Sequence, residues 1–84
     1  MRITNGSSRA VTYDIRGGAL RMSLSTCELE PGEEELWTSR YRVDIGEVEL
    51  VITWGDDGKL VTLVGADARV RVEDEADGVR IALG

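Results

Sequence analysis

Apolar and polar residues alternate along most of this chain. In the segment from Ala10 to Arg16, apolar Val11, Tyr13 and Ile15 take every second position, with polar residues between them. The same period of two recurs in segments 20–25, 41–45, 69–73 and 79–83. A period of two places successive side chains on opposite faces of an extended strand, so these segments are predicted as half-buried β-strands.

Turn-forming residues separate these segments. They are Asn5-Gly6-Ser7-Ser8, Gly17-Gly18, Pro31-Gly32, Gly65-Ala66-Asp67 and Asp77-Gly78. Pro followed by Gly suits the two central positions of a type II turn. Glutamates 33–35 favour helix, but the segment 33–37 is too short for a stable helix and Trp37 offers a core anchor, so a strand is predicted there.

The spacing of strands and turns indicates the fold class. About seven to eight short strands, with a turn roughly every ten residues, are typical of a small antiparallel β-sandwich or barrel. The prediction is therefore an all-β protein, either a jelly-roll-like sandwich or a barrel, with no substantial helix. At 84 residues the chain is predicted to form one β domain spanning 1–84.

The clearest element is a hairpin between Val48 and Val64, where two β-rich runs flank Gly55-Asp56-Asp57-Gly58. Asp57-Gly58 is predicted as the turn, because tight hairpins need positive φ at central residues. The loop is either these two residues or the three residues Asp56-Asp57-Gly58, and the choice reverses one strand's faces.

Both registers leave apolar side chains on both faces of this hairpin. A two-residue loop groups one set on the face away from Trp54: Val51, Thr53, Leu60, Thr62 and Val64. A three-residue loop instead places Val51, Val61 and Leu63 together. Because a sheet backed by water should be polar on one face, both strands are predicted to be central, with the second face under another layer or a partner subunit.

Composition limits the chemistry that the chain can perform. It contains no histidine and one cysteine, Cys27. The commonest general base, the commonest zinc ligand and every Ser-His or Cys-His pair are therefore absent from the sequence. No phosphate-binding glycine motif or paired-cysteine metal site occurs, so we predict a non-enzymatic protein without cofactor.

Charge and hydropathy bear on partners and location. A formal charge of −6 disfavours nucleic acid and anionic membranes, and no apolar run is long enough to span a bilayer. The lone cysteine and the absence of an apolar leader point to the cytoplasm. Asn5-Gly6-Ser7 matches a glycosylation triplet, a pattern that is also common by chance.

Acidic residues near turns are candidate calcium ligands, although their spacing does not match a helix-loop-helix calcium site. The candidates are Asp56, Asp57, Asp74 and Asp77. Arginines at outward positions are interpreted as cross-strand partners of glutamates 47, 49 and 73, with an anion site as the alternative. They are Arg16, Arg21, Arg42, Arg69, Arg71 and Arg80.

These observations predict a structural or interaction protein that assembles with itself or binds a protein partner. Its expected interface is the second hairpin face, Val51, Thr53, Leu60, Thr62 and Val64. The alternative is a module that binds calcium or a small ligand through acidic loops at one end of the sandwich.

Overall fold

The computed structural model describes residues 1–17, 22–38 and 46–84. These residues form eight strands: β1 (Arg2–Asn5), β2 (Val11–Gly17), β3 (Met22–Leu29), β4 (Glu34–Leu36), β5 (Glu47–Trp54), β6 (Gly58–Gly65), β7 (Arg69–Glu75) and β8 (Gly78–Leu83). The described part of the chain contains no helix that is long and apolar enough to cross a membrane. The predicted strand at 41–45 lies outside the described residues.

The strands form two four-stranded sheets, which confirms the prediction of a small β-sandwich and excludes the closed barrel. Sheet I has the order β4-β1-β7-β8, and sheet II has the order β3-β2-β5-β6. Every pairing is antiparallel except that between β1 and β7, which is parallel.

The inward faces of both sheets form one apolar core. Alternate residues of β1 and β7, of β2 and of β5 are almost completely buried, as a period of two requires. The most deeply buried apolar side chains are Ile3, Val11, Tyr13, Ile15, Leu29, Val48, Leu50, Ile52 and Val72. Trp37 is also buried, as predicted from its place after the glutamates.

The connection between β3 and β4 confirms the predicted type II turn. Gly32 has a φ of +86°, and the Glu33 N–H donates to the Glu30 carbonyl at 3.0 Å. Both features are expected when Gly follows Pro at the centre of such a turn. The strand that follows, Glu34–Leu36, confirms that strand wins over helix in this acidic segment.

Strand β3 is longer than the alternation predicted. The sequence predicts one strand that alternates up to Ser25 and a separate short piece from Thr26 to Glu30, and the apolar positions change phase between the two. The structure has one strand, Met22–Leu29, with a bulge: Ile15 pairs with Ser25, but Arg16 pairs with Ser23. The extra residue at this step shifts the side chains by one position, which explains the change of phase.

The β5–β6 hairpin is present, but its loop is Gly55-Asp56-Asp57, and Trp54 pairs with Gly58. Both predicted loops, Asp57-Gly58 and Asp56-Asp57-Gly58, are therefore wrong. Gly55 supplies the positive φ, +60°. Gly58 belongs to β6, where a β-carbon would overlap the Trp54 indole, so its missing side chain serves packing and not the turn.

The observed register also settles the faces of the hairpin. Moving the loop by one residue shifts each pairing by two, so the faces are those predicted from the three-residue loop. The set Val51, Thr53, Leu60, Thr62 and Val64 does not share a face. In addition, β6 is an edge strand, so the prediction that both hairpin strands are central is wrong for β6.

Candidate functional site

Among the strands of the described residues, β6 lies at one edge of sheet II and pairs only with β5. It runs for eight residues and pairs with β5 without any register shift. At the opposite edge of the sheet, the pairing of β3 is interrupted by the bulge. In sheet I, edge strand β4 has three residues, and edge strand β8 has six and is regularly paired. Short strands and bulges protect sheet edges from pairing with other chains, and β6 has neither protection.

Apolar side chains stand beside this edge on the outer face of sheet II. Val61 is 48 % exposed and Leu63 is 65 % exposed, whereas Val51, directly across from Val61, is 5 % exposed. We call Val51, Val61 and Leu63 the β6 patch. Its two exposed members lie on the edge strand itself, so a partner that pairs with β6 would cover them.

The residues predicted as an interface are divided between the two faces of the hairpin. Val51 and Thr53 are on the outer face, whereas Leu60, Thr62 and Val64 share the inner face with Leu50 and Ile52. Val64 is 2 % exposed and belongs to the core.

Sequence reasoning did not select Val61 and Leu63 for the interface. The signal for them was present in the three-residue loop, which places both residues opposite the core together with Val51. They were not selected because Asp57-Gly58 was preferred as the turn. That preference overlooked Gly55, which can adopt a positive φ as readily as Gly58.

The centre of the outer face is polar and ordered. The Asp14 carboxylate accepts hydrogen bonds from Ser23 Oγ at 2.6 Å, from Thr26 Oγ1 at 3.0 Å and from Arg16 Nε at 2.7 Å. Burial alone would raise the pKa of Asp14, but these three donors outweigh it and lower the pKa below its usual value. This network holds β3 to β2 on both sides of the bulge.

The calcium candidates do not converge. Asp56 and Asp57 lie in the β5–β6 loop, and Asp77 lies in the β7–β8 turn. Asp74 already accepts hydrogen bonds from the Ser8 N–H and hydroxyl, each at 3.0 Å to Oδ1. Within residues 1–17, 22–38 and 46–84, no group of three or more acidic, histidine or cysteine side chains is placed to hold a metal ion.

A shallow depression occupies one end of the outer face of sheet II. It is lined by Ala10, Thr12, Glu28, Thr53, Trp54 and Gly55. One carboxylate among hydroxyl and backbone groups supplies no acid-base pair, because general catalysis of that kind needs a second titratable group within reach. The depression therefore gives no support to a catalytic function.

The sulfur and phenol groups near this face have structural surroundings. Cys27 is a free, half-buried thiol, and its sulfur lies 3.5 Å from the Glu28 carbonyl oxygen. Burial raises the pKa of Tyr13, whose side chain is almost completely enclosed in the core. Among the described residues, neither group forms an ion pair with a basic side chain.

Comparisons of the chain with models of known protein families, with curated proteins and with solved structures found no match.

Proposed function

We propose that this chain is a non-enzymatic β-sandwich protein that assembles with a second copy of itself through the free edge of β6. The observation that carries the proposal is the combination of an eight-residue, regularly paired edge strand with the exposed apolar side chains of Val61 and Leu63. An edge strand offers a row of backbone N–H and C=O groups that another strand can pair with.

Edge pairing fits the distribution of charge better than stacking of the outer faces. On the outer face of sheet II, the exposed large apolar side chains are Val61 and Leu63 of β6, while the centre of that face carries the Asp14–Arg16 ion pair and Glu28. Two copies stacked through this face would remove those charged groups from water, and the desolvation penalty is several kcal/mol per ion. Pairing through β6 leaves them hydrated.

The symmetry of such an assembly is simple. Two β6 strands related by a two-fold axis perpendicular to the sheet run antiparallel. Every contact that one copy makes with the other is then repeated by symmetry in the same interface. Sheet II would then continue across the axis as an eight-stranded sheet. The Val61 and Leu63 side chains of the two copies would form one apolar stripe. Within it, the side chains of each copy would partly shield those of the other from water.

The proposal is tested by the molecular mass in solution. Light scattering after size exclusion, from low micromolar to near-millimolar concentration, should give twice the 9.2 kDa of the single chain. Leu63→Lys should dissociate the dimer. Because two leucine side chains are lost from each interface, the dissociation constant should rise by about a hundredfold or more.

Leu36→Lys is the matched control. Leu36 is as exposed as Leu63, at 63 % against 65 %, but lies on β4 in the other sheet. This variant should remain a dimer. A wild-type chain that stays monomeric at the highest concentration would refute self-assembly, and equal dissociation by both variants would refute the β6 edge as its site.

The absence of histidine and the single cysteine bear on the role and the compartment of the protein. A sequence without histidine, and a half-buried thiol that has no basic partner among the described residues, support a binding rather than a catalytic role. One unpaired cysteine is compatible with the reducing cytoplasm, which we propose as the compartment.

A further inference from the structure

The outer face of sheet I carries a group of arginines. Arg2 on β1 and Arg69 and Arg71 on β7 are exposed, because they alternate with buried Ile3 and with Val70 and Val72. We call Arg2, Arg69 and Arg71 the arginine strip. It lies on a chain whose net charge is −6, so it is a local reversal of the overall sign.

The strip places like charges side by side. In the parallel β1–β7 pair, Arg2 is directly opposite Arg69, and Thr4 is opposite Arg71. Like charges at facing positions of neighbouring strands destabilise a sheet. A fold that only needed a soluble face could avoid this cost by placing a glutamate at either position.

Neutralisation within the chain is incomplete. Arg2 Nε lies 3.2 Å from Glu34 Oε1, an exposed pair that water screens strongly. Arg69 and Arg71 form no ion pair with any residue of the three described segments. Two guanidinium groups of β7 therefore keep all of their charged hydrogen-bonding capacity for another molecule.

The backbone leaves room for one of these side chains. A β-carbon at Gly6 would lie 2.8 Å from Arg71 Nε, so the Arg71 guanidinium crosses the position that any larger residue would fill. Gly6 is held there by its own N–H, which donates to the Val72 carbonyl at 2.8 Å. Arg71 is thus seated against a fixed part of the backbone.

We propose that the arginine strip binds an extended acidic segment of a partner protein, in which carboxylates alternate with other residues. Arg69 and Arg71 are two positions apart on one strand, which separates their origins by roughly 6.7 Å. Glutamates two positions apart on an extended peptide have the same separation. Each guanidinium presents a planar fork that matches one carboxylate, and Arg2 adds a third cation alongside.

The charge pattern favours a carboxylate peptide over a nucleic acid. The strip is short and is bordered on the same face by Glu34 and Glu73. Nucleic-acid affinity comes mainly from many phosphate contacts, and the remaining surface of this acidic protein would repel the rest of the polymer. A short peptide can contact the strip without crossing the acidic surroundings.

The test is fluorescence anisotropy with a fluorescein-labelled peptide of five Glu-Thr repeats, at low salt. Arg69→Gln and Arg71→Gln should each weaken binding about tenfold, because each removes one bidentate charged contact. Arg69→Lys and Arg71→Lys keep the charge but lose the fork, and should weaken binding by a smaller factor. Arg9→Gln removes an exposed arginine outside the strip and should change affinity less than about twofold.

Two further probes decide between the alternatives. A peptide with the same composition, five glutamates followed by five threonines, should bind more weakly than the alternating peptide. Equal affinity for both peptides, or equal weakening by Arg9→Gln, would reduce the effect to general charge attraction and overturn the proposal. Tighter binding of oligothymidylate than of the alternating peptide would assign the strip to nucleic acid instead.

Folding of the variants is checked by thermal melting. Because Arg69 has no ion pair with a described residue and faces Arg2, Arg69→Gln should leave the melting temperature unchanged or raise it slightly at low salt. A large fall would show that Arg69 has a structural role that the binding argument excludes. None of these variants lies on β6, so this test is separate from that of self-assembly.

Discussion

Asn5 is a buried polar residue that makes every hydrogen bond its side chain can offer in this place. Nδ2 donates to the carbonyls of Arg9 and Leu29, both at 2.9 Å, and Oδ1 accepts from the N–H and the hydroxyl of Ser7. Leu29 ends β3 in sheet II, whereas Asn5 ends β1 in sheet I. One amide therefore fixes the loop 6–10 and joins the two sheets.

We expect Asn5→Ala to lower the free energy of unfolding by about 2–4 kcal/mol. The substitution leaves the Leu29 carbonyl and the Ser7 N–H without their Asn5 partner, and each such buried group costs about 1–3 kcal/mol when water cannot replace it. Urea unfolding followed by tryptophan fluorescence measures the change. Ser8→Ala is the control, since its exposed hydroxyl bond to Asp74 should be worth less than about 1 kcal/mol.

An equal loss of stability in both variants would contradict this account of Asn5. The same burial bears on the glycosylation triplet, because the folded chain gives the Asn5 side chain no exposed surface. The sequence predicted a turn at 5–8, whereas in the structure Asn5 ends β1 and the loop follows at 6–10. The residue types Asn, Gly and Ser do not distinguish an exposed turn from a loop closed around a buried amide.

At the scale of single elements, much of the fold was predictable from local chemistry. Period-two alternation gave the strand in 10–16 and those that follow Gly65, and Pro31-Gly32 gave its turn, because each depends on neighbouring residues only. The prediction of the β5–β6 loop was wrong because local chemistry could not distinguish two glycines. Gly55 and Gly58 have the same intrinsic freedom, and the feature that assigns Gly58 to packing is the indole of Trp54 against it.

The hydrogen-bond network around Asp14, which joins β2 and β3, should make the stability of the protein depend on pH. Hydrogen bonds from Ser23, Thr26 and Arg16 lower the pKa of Asp14 despite its partial burial. A carboxyl whose pKa is lower in the folded state stabilises the protein fully above its unfolded pKa, near 3.8. That stabilisation is lost as the pH falls through the folded value.

Asp14→Asn should therefore be less stable than the wild type by about 1 kcal/mol at pH 7. The difference should begin to shrink as the pH falls below about 4, where the carboxyl of the unfolded chain becomes protonated. It should disappear only below the lower pKa of Asp14 in the folded chain. Urea unfolding of both proteins from pH 7 to pH 2.5 measures it. Asp56→Asn, in the exposed loop, controls for removal of one negative charge; a difference that stays constant with pH for Asp14→Asn would contradict the role of its ionised form.

At the scale of the whole molecule, the sequence did not reveal which strands are neighbours. Hairpins follow from short loops, but the parallel pairing of β1 with β7 joins residues more than sixty positions apart. An edge strand and a central strand of the same sheet can show identical alternation, so the position of β6 was also hidden. The arginine strip depends on the β1–β7 pairing, and the β6 patch depends on β6 being an edge; both candidate sites therefore required the tertiary structure.

Trp54 supplies the last prediction, because it connects the two sheets at the end where two hairpins turn. Its indole lies over Gly58 on the neighbouring strand and reaches Gly78 in β8 of sheet I, where a β-carbon would come within 2.5 Å of Cζ2. Gly78→Ala should therefore destabilise the fold by about 1–3 kcal/mol through overpacking, measured by urea unfolding. Gly46→Ala, where a β-carbon would have no neighbour within 4 Å, should be neutral or slightly stabilising.

A double-mutant cycle with Trp54→Phe separates this overlap from a general intolerance of alanine at position 78. Phenylalanine lacks the far ring atoms that a new β-carbon would meet, so Gly78→Ala should cost less in the Trp54→Phe background than in the wild type. Strictly additive losses would show that the indole does not set the requirement for glycine, because residues in direct contact are expected to couple. A smaller cost of Gly78→Ala in the Trp54→Phe background than in the wild type would confirm that the indole sets the requirement for glycine at position 78.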